Sequence, residues 1–196
     1  MGHTAELFSL ILAGGRSSRM GTDKGRIRYH GKPQRQILFH LASEFTAKVW
    51  YSVREEQRHE FDESAPLIID TNRYKGPFNG ILSAHLAHPE VAWLVMACDL
   101  PFLDKDALDK LIAHRKRASS ATAYASKASG LPEPLISIWE PSTLRKAMVQ
   151  LASGSNLGPR SFLIQENAYL VYPDSDKILY NANTPKDYAL AKSLLS

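Results

Sequence analysis

The apolar run Leu7-Phe8-Ser9-Leu10-Ile11-Leu12 opens without a break into Ala13-Gly14-Gly15-Arg16-Ser17-Ser18-Arg19-Met20-Gly21-Thr22-Asp23-Lys24. Such a run, bounded at once by glycines, reads as a buried first strand of an α/β sheet. The loop it feeds is rich in both glycine and positive charge. Amides without a Cβ in the way can close around oxygens while arginine and lysine neutralise charge, a combination that suits a polyphosphate. Gly14, Gly15 and Gly21 supply the room, and Arg16, Arg19 and Lys24 supply the charge. The competing reading is a plain strand-to-loop connection with solvated charges, but a turn needs neither so many glycines nor so many cations.

The spacing excludes two common phosphate loops. A P-loop requires G-x-x-x-x-G-K-[ST], whereas here Gly15 and Gly21 stand too far apart and Thr22-Asp23 precede the lysine. The dinucleotide fingerprint fails as well: Gly14 and Gly15 are adjacent and no third glycine follows at the required offset, which argues against a dehydrogenase.

Further along, apolar runs alternate with helical patterns, the mark of a mostly parallel sheet covered by helices. Strands are expected at 7–13, 48–53, 67–70, 92–98, 121–125, 134–139 and 168–172. Helices are expected at 34–46, 79–87, 104–117, 141–151, 159–164 and 185–194, with Asp104 and Thr184 as N-caps and Pro185 at a first helical position. At 196 residues and 44% hydrophobic the chain can bury a full core, and 1–196 reads as one domain. Cys98 is the one cysteine, so an internal disulfide is excluded and a reducing compartment fits. No apolar run approaches the ~20 residues of a membrane span. Met1–Glu6 lack a cationic start ahead of a long apolar core, so a cytoplasmic protein without a membrane partner is expected. The net charge of +4 is not gathered into one run, and no aromatic–basic interleaving points to nucleic acid.

Carboxylates at strand ends carry the chemistry. Asp99 follows the central run Val91–Ala97, and a carboxylate there, followed by Pro101, is hard to explain by packing. Magnesium prefers one or two carboxylates together with phosphate oxygens and waters, so Asp99 is a candidate ligand; a capping or turn aspartate is the alternative. Cys98 beside it reads as a small buried apolar residue. Asp70 closes Leu67-Ile68-Ile69 and otherwise reads as the start of a turn. Lys24, with Arg19 and Arg16, is the candidate for neutralising a triphosphate that the backbone of Leu12, Ala13, Gly14 and Gly15 would hold. Asn181 and Asn183 offer amides that can orient phosphate or a metal-bound water without adding charge, though Asn183 also reads as support for the turn into Thr184-Pro185.

The run L-A-G-G-x-S-x-R-M-G-x-D-K beginning at Leu12 resembles the signature of nucleotidyltransferases with a MobA-like fold, and among them the molybdenum cofactor guanylyltransferases. Gly31-Lys32-Pro33, Asp70, Gly76-Pro77, Cys98-Asp99-Leu100-Pro101 and Asn181-Ala182-Asn183-Thr184-Pro185 follow in that family's order, so the resemblance covers nearly the whole chain. It implies a Rossmann-like three-layer α/β fold with a mostly parallel central sheet. It also implies Mg2+-dependent transfer of GMP from GTP to the phosphate of molybdopterin (molybdenum) cofactor, giving the guanine dinucleotide cofactor and pyrophosphate. Lys24, Asp99 and Arg19 are then catalytic, and Leu12, Ala13, Gly14, Gly15, Lys24, Ser52, Asp70 and Asp99 bind nucleotide. Asp99 holds the metal, and Asn181 and Asn183 bind the acceptor. Ser52 stands where the family carries a nucleoside-contacting asparagine, and Gly154–Arg160 resembles the family's acceptor-side segment. The implied partners are GTP, molybdopterin, molybdoenzyme chaperones and other cofactor-biosynthesis proteins. Gly14-Gly15 favours GTP, since cytosine-selective relatives tend to read L-A-A-G. A relative that uses CTP or a sugar phosphate is the alternative enzyme, and a non-catalytic nucleotide- or cofactor-binding module is the alternative of another class.

Overall fold

A computed structural model of the chain describes residues 4–15, 27–29 and 31–195. Seven strands form one sheet: β1 Leu7–Leu12, β2 Val49–Val53, β3 Leu67–Ile69, β4 Ala92–Ala97, β5 Ala121–Ala125, β6 Pro132–Trp139 and β7 Tyr169–Val171. Six α-helices intervene: α1 Gln34–Ser43, α2 Pro77–Ala87, α3 Lys105–Ala113, α4 Pro141–Ala152, α5 Pro159–Gln165 and α6 Pro185–Leu195. Short 3₁₀ turns at Glu55–Glu60 and Asp176–Leu179 were not among the expected elements.

The strand order is β3-β2-β1-β4-β6-β5-β7. Strands β1 to β4 are mutually parallel, β7 is parallel to β5, and β6 runs antiparallel to both of its neighbours. The sheet is therefore mostly parallel, as expected, with one reversed strand. The chain runs outward from β1 to β3, then returns through α2 to place β4 on the other side of β1. That reversal is a topological switch point, and it opens a crevice between the carboxyl ends of β1 and β4.

Both faces of the sheet are covered. Ile11, Leu94 and Met96 pack with Leu38 of α1 and Leu108 and Leu111 of α3. On the opposite face Phe8, Leu10, Trp93 and Val95 pack with Phe78 and Ile81 of α2, Leu144 of α4 and Phe162 of α5. Burial on both faces explains why β1 and β4 read as nearly continuous apolar runs. Cys98 is buried in the first of these clusters, in the small apolar role expected of it.

Helix α3 stops at Ala113, short of the expected end at 117. Arg115 is drawn instead into a bidentate pair with Glu140, at 2.7 and 2.8 Å, while Lys116 N–H donates to Thr122 Oγ1. Asp104 caps α3 by accepting from Ala107 N–H at 2.9 Å. At α6, Thr184 and Asp187 exchange backbone-to-side-chain hydrogen bonds, a capping-box arrangement that fixes the turn carrying Asn181 and Asn183.

Candidate active site

The carboxyl ends of β1 to β4 converge on a cavity of about 720 Å³ at the switch point. Leu12 lines it at the end of β1 with Ala13, Gly14 and Gly15 just beyond, Ser52 in β2 with Arg54 just after it, Asp70 just after β3 and Asp99 just after β4. Parallel strands deliver these residues to one rim although they are far apart in sequence.

Close packing holds the rim together. Ser52 Oγ donates to Asp70 Oδ1 at 2.6 Å, joining β2 to β3. A Cβ on Gly80, near the start of α2, would lie 2.2 Å from Ser52 Oγ and 2.8 Å from Leu12 Cδ2. Gly14 is equally constrained: a Cβ there would stand 2.8 Å from Asp70 Oδ2 and 3.3 Å from the Arg54 nitrogen. The loop thus passes too near the β2 and β3 ends for any side chain at position 14. Burial pushes the Asp70 carboxyl above the usual carboxylate range, against the Ser52 and Asn79 hydrogen bonds and the Arg54 charge that favour its anion. Gly76 sits at φ +59°, a conformation suited to glycine, and hands the chain to Pro77 at the first turn of α2.

A second, smaller cavity of about 310 Å³ adjoins the first. It is lined by Asn181 and Asn183 from the segment before α6, by Gly158 and Arg160 at the start of α5, and by Glu133 of β6. Asp99 and Pro77 line both cavities, so Asp99 stands on their common wall. Ala182 N–H donates to the Asp99 carbonyl at 2.8 Å, and Gln34 Nε2 donates to the Leu100 carbonyl at 2.9 Å. The two asparagines are therefore tied by backbone to the loop that carries the aspartate. Glu133 accepts from Arg160 Nη2 at 2.8 Å and from Leu135 N–H at 3.1 Å. Burial pushes the Glu133 carboxyl up; the Leu135 amide and Arg160 pull it down, and the negative charge of Asp99 adds to the rise.

One buried oxygen of a residue lining the second cavity is left without a partner among the described residues. Asn181 Nδ2 donates to the Leu179 carbonyl at 3.3 Å, whereas the buried Asn181 Oδ1 accepts no hydrogen bond among the described residues. A carboxylate and an amide carbonyl lining the same cavity form an all-oxygen donor set, which suits a hard divalent cation.

The family model for the MobA-like NTP transferase domain matches residues 9–169, from within β1 to the first residue of β7. The chain belongs to that family. It is 34% identical over 186 residues to the molybdenum cofactor biosynthesis bifunctional protein of Synechocystis sp., an alignment covering 93% of this chain and 52% of that protein. It thus spans about half the length of that relative. It is 32% identical over 181 residues to the molybdenum cofactor guanylyltransferase of Pseudomonas aeruginosa (strain LESB58), covering 90% of each. Among solved structures it resembles molybdopterin-guanine dinucleotide biosynthesis protein A from Archaeoglobus fulgidus, with a TM-score of 0.71 at 22% identity over 95% of this chain and 97% of that one. It also resembles 4-diphosphocytidyl-2C-methyl-D-erythritol synthase from Anaerococcus prevotii, with a TM-score of 0.71 at 14% identity over 98% and 96%. At these identities the structural likeness is one of fold.

The fold thus brings Leu12, Ala13, Gly14, Gly15, Ser52, Asp70 and Asp99 to one cavity, and Asn181 and Asn183 with Asp99 to the next. Arg16, Arg19, Gly21 and Lys24 lie outside the described residues. Arg54, Gln57 and Glu133 were not among the candidates read from the sequence. Arg54 and Gln57 bond to loop carbonyls, and no local pattern marks that role; Glu133 falls just before the strand expected at 134–139, whereas it belongs to β6.

Proposed function

We propose that residues 1–196 form one nucleotidyltransferase domain that transfers GMP from GTP to the phosphate of molybdopterin (molybdenum) cofactor, releasing pyrophosphate. The observation that supports this reading is the position of Asp99 on the common wall of two cavities; in this reading the larger takes the nucleotide donor and the smaller the phosphorylated acceptor. The names of the Pseudomonas and Synechocystis relatives support the choice of acceptor, and Gly14-Gly15 supports GTP over CTP.

Transfer to a phosphate needs no covalent enzyme intermediate. It needs the α-phosphate held for in-line attack and its charge neutralised. In this reading the loop backbone from Leu12 to Gly15 holds the nucleotide, with Ser52 and Asp70 at the nucleoside end. Lys24, with Arg19 and Arg16, neutralises the triphosphate and the departing pyrophosphate. Asn181, Asn183 and Arg160 hold the acceptor phosphate so that one of its oxygens faces the α-phosphorus. Asp99 and the Asn181 carbonyl oxygen are the groups that would hold Mg2+, which, when bound, stabilises negative charge developing on the phosphates. GTP, the acceptor and molybdoenzyme chaperones are the proposed partners, in the cytoplasm. Among the described residues no helix is long and apolar enough to cross a membrane.

The test is pyrophosphate release from GTP plus acceptor by the wild type and Asp99→Asn. Removing the charge should cut turnover by about 100- to 1000-fold, the scale seen when one electrostatic group at a reacting centre is lost. Metal-free GTP affinity should change little. Wild-type turnover in Asp99→Asn would sink the assignment.

A further inference from the structure

The glycine loop is gripped by its carbonyls. Gln57 Nε2 donates to the Ala13 carbonyl at 3.3 Å, and Arg54 Nε donates to the Gly14 carbonyl at 2.9 Å. Both donors come from one short stretch just after β2, where the chain enters the 3₁₀ turn Glu55–Glu60. They also hold each other. Gln57 Oε1 accepts from Arg54 N–H at 3.3 Å and from Arg54 Nε at 3.2 Å, and Gln57 N–H donates to the Arg54 carbonyl at 2.9 Å. Arg54 Nη1 also donates to Glu56 Oε1 at 2.6 Å. Gln57 is 5% exposed, so its amide cannot exchange these partners for water at low cost.

A trans peptide directs its C=O and the following N–H to opposite sides. Drawing the Ala13 and Gly14 carbonyls toward Gln57 and Arg54 therefore turns the amides of Gly14 and Gly15 the other way. Both glycines line the large cavity, and neither amide donates a hydrogen bond among the described residues. The absence of a side chain at position 14 lets the loop lie against Asp70 and the Arg54 backbone, close enough for this grip. The amides are thus aimed before any ligand arrives, which spares the ordering cost on binding.

We propose that Arg54 and Gln57 are positioning residues for nucleotide binding, acting through the Ala13 and Gly14 carbonyls to present the Gly14 and Gly15 amides to an anionic group of the nucleotide. This rests on the reading of the large cavity as the nucleotide site. The two residues do not touch the acceptor cavity, so their effect should fall on one substrate alone.

The experiment is GTP titration by calorimetry of the wild type, Gln57→Glu and Arg54→Ala, with the 15N-labelled Gly14 and Gly15 amides followed by NMR in parallel. Gln57→Glu keeps size and the acceptor toward Arg54 but replaces the donor facing Ala13 O with an oxygen. Each variant should bind GTP about tenfold more weakly, the worth of one orienting hydrogen bond. The GTP-induced shifts of the two amides should shrink, KM for GTP should rise in step, and KM for the acceptor should stay within about twofold. If Arg54→Ala does not fold, Arg54→Lys keeps the charge but loses the fixed fork, and it should show an intermediate loss. Variants that bind GTP as the wild type does, or that weaken GTP and acceptor equally, overturn the positioning role and leave the nucleotide site standing. A wild type that binds neither GTP nor CTP overturns both.

Discussion

Asp70 shows how a residue lining the candidate site is held at a cost. Its carboxylate is buried beside Gly14, takes a 2.6 Å hydrogen bond from Ser52, and has its pKa raised by that burial. A carboxyl whose folded pKa lies above its unfolded value stabilises the fold most when protonated. That contribution is complete below the ordinary aspartate range and is lost as pH rises through the raised value. Asp70→Asn keeps an acceptor for Ser52 Oγ and removes the buried charge. Its melting temperature should exceed that of the wild type at pH 7, by about 2–4 °C for each kcal/mol relieved in a chain of this size. The gap should close as pH is lowered toward the ordinary aspartate range, while GTP affinity falls at least tenfold. A gap that is constant with pH would show that the charge of Asp70 is not what burdens the fold. Gly80 leaves no room above Ser52 Oγ, so the small hydroxyl is matched to its neighbour, and it acts on Asp70.

The elements that carry the site are locked together by groups far from it. Arg115 and Glu140, with side chains 7% and 6% exposed, form a bidentate pair joining the segment after α3 to the end of β6, and Arg115 Nη2 also reaches the Ala5 carbonyl at 3.1 Å. Breaking such a pair leaves an uncompensated buried charge. Arg115→Met should destabilise the fold by about 3–5 kcal/mol, and adding Glu140→Leu should restore much of the loss. Denaturant titration of the single and double variants checks this; equal stability of the single variant and the wild type would rule out the staple. Most of these elements were legible in the sequence, because apolar runs and helix start signals such as Asp104 and Thr184-Pro185 act locally. The reversed direction of β6 follows from the short connection at 126–131, which suits a hairpin rather than a crossover. The early end of α3 was not legible, since it depends on Glu140, distant in sequence.

At the scale of the molecule, the strand order accounts for the site. Crossing from β3 back past β1 to β4 puts the glycine loop and Asp99 on either side of one crevice, and the hydrogen bond from Ala182 to Asp99 brings the asparagines to its edge. Signature residues at strand ends were readable for that reason, as were Asp70 and Asp99. The grip of Arg54 and Gln57 on the loop became visible only with the backbone in place. The fold is shared with proteins named for cytidylyl as well as guanylyl products, so nucleotide choice must be read from chemistry. The most direct measurement supplies the protein with equal GTP and CTP, magnesium and molybdopterin, and identifies the products by mass spectrometry. Formation of the guanine dinucleotide cofactor with one pyrophosphate per turnover is expected. A cytosine dinucleotide as the main product, or nucleotide binding with no transfer to the acceptor, would contradict the proposed function.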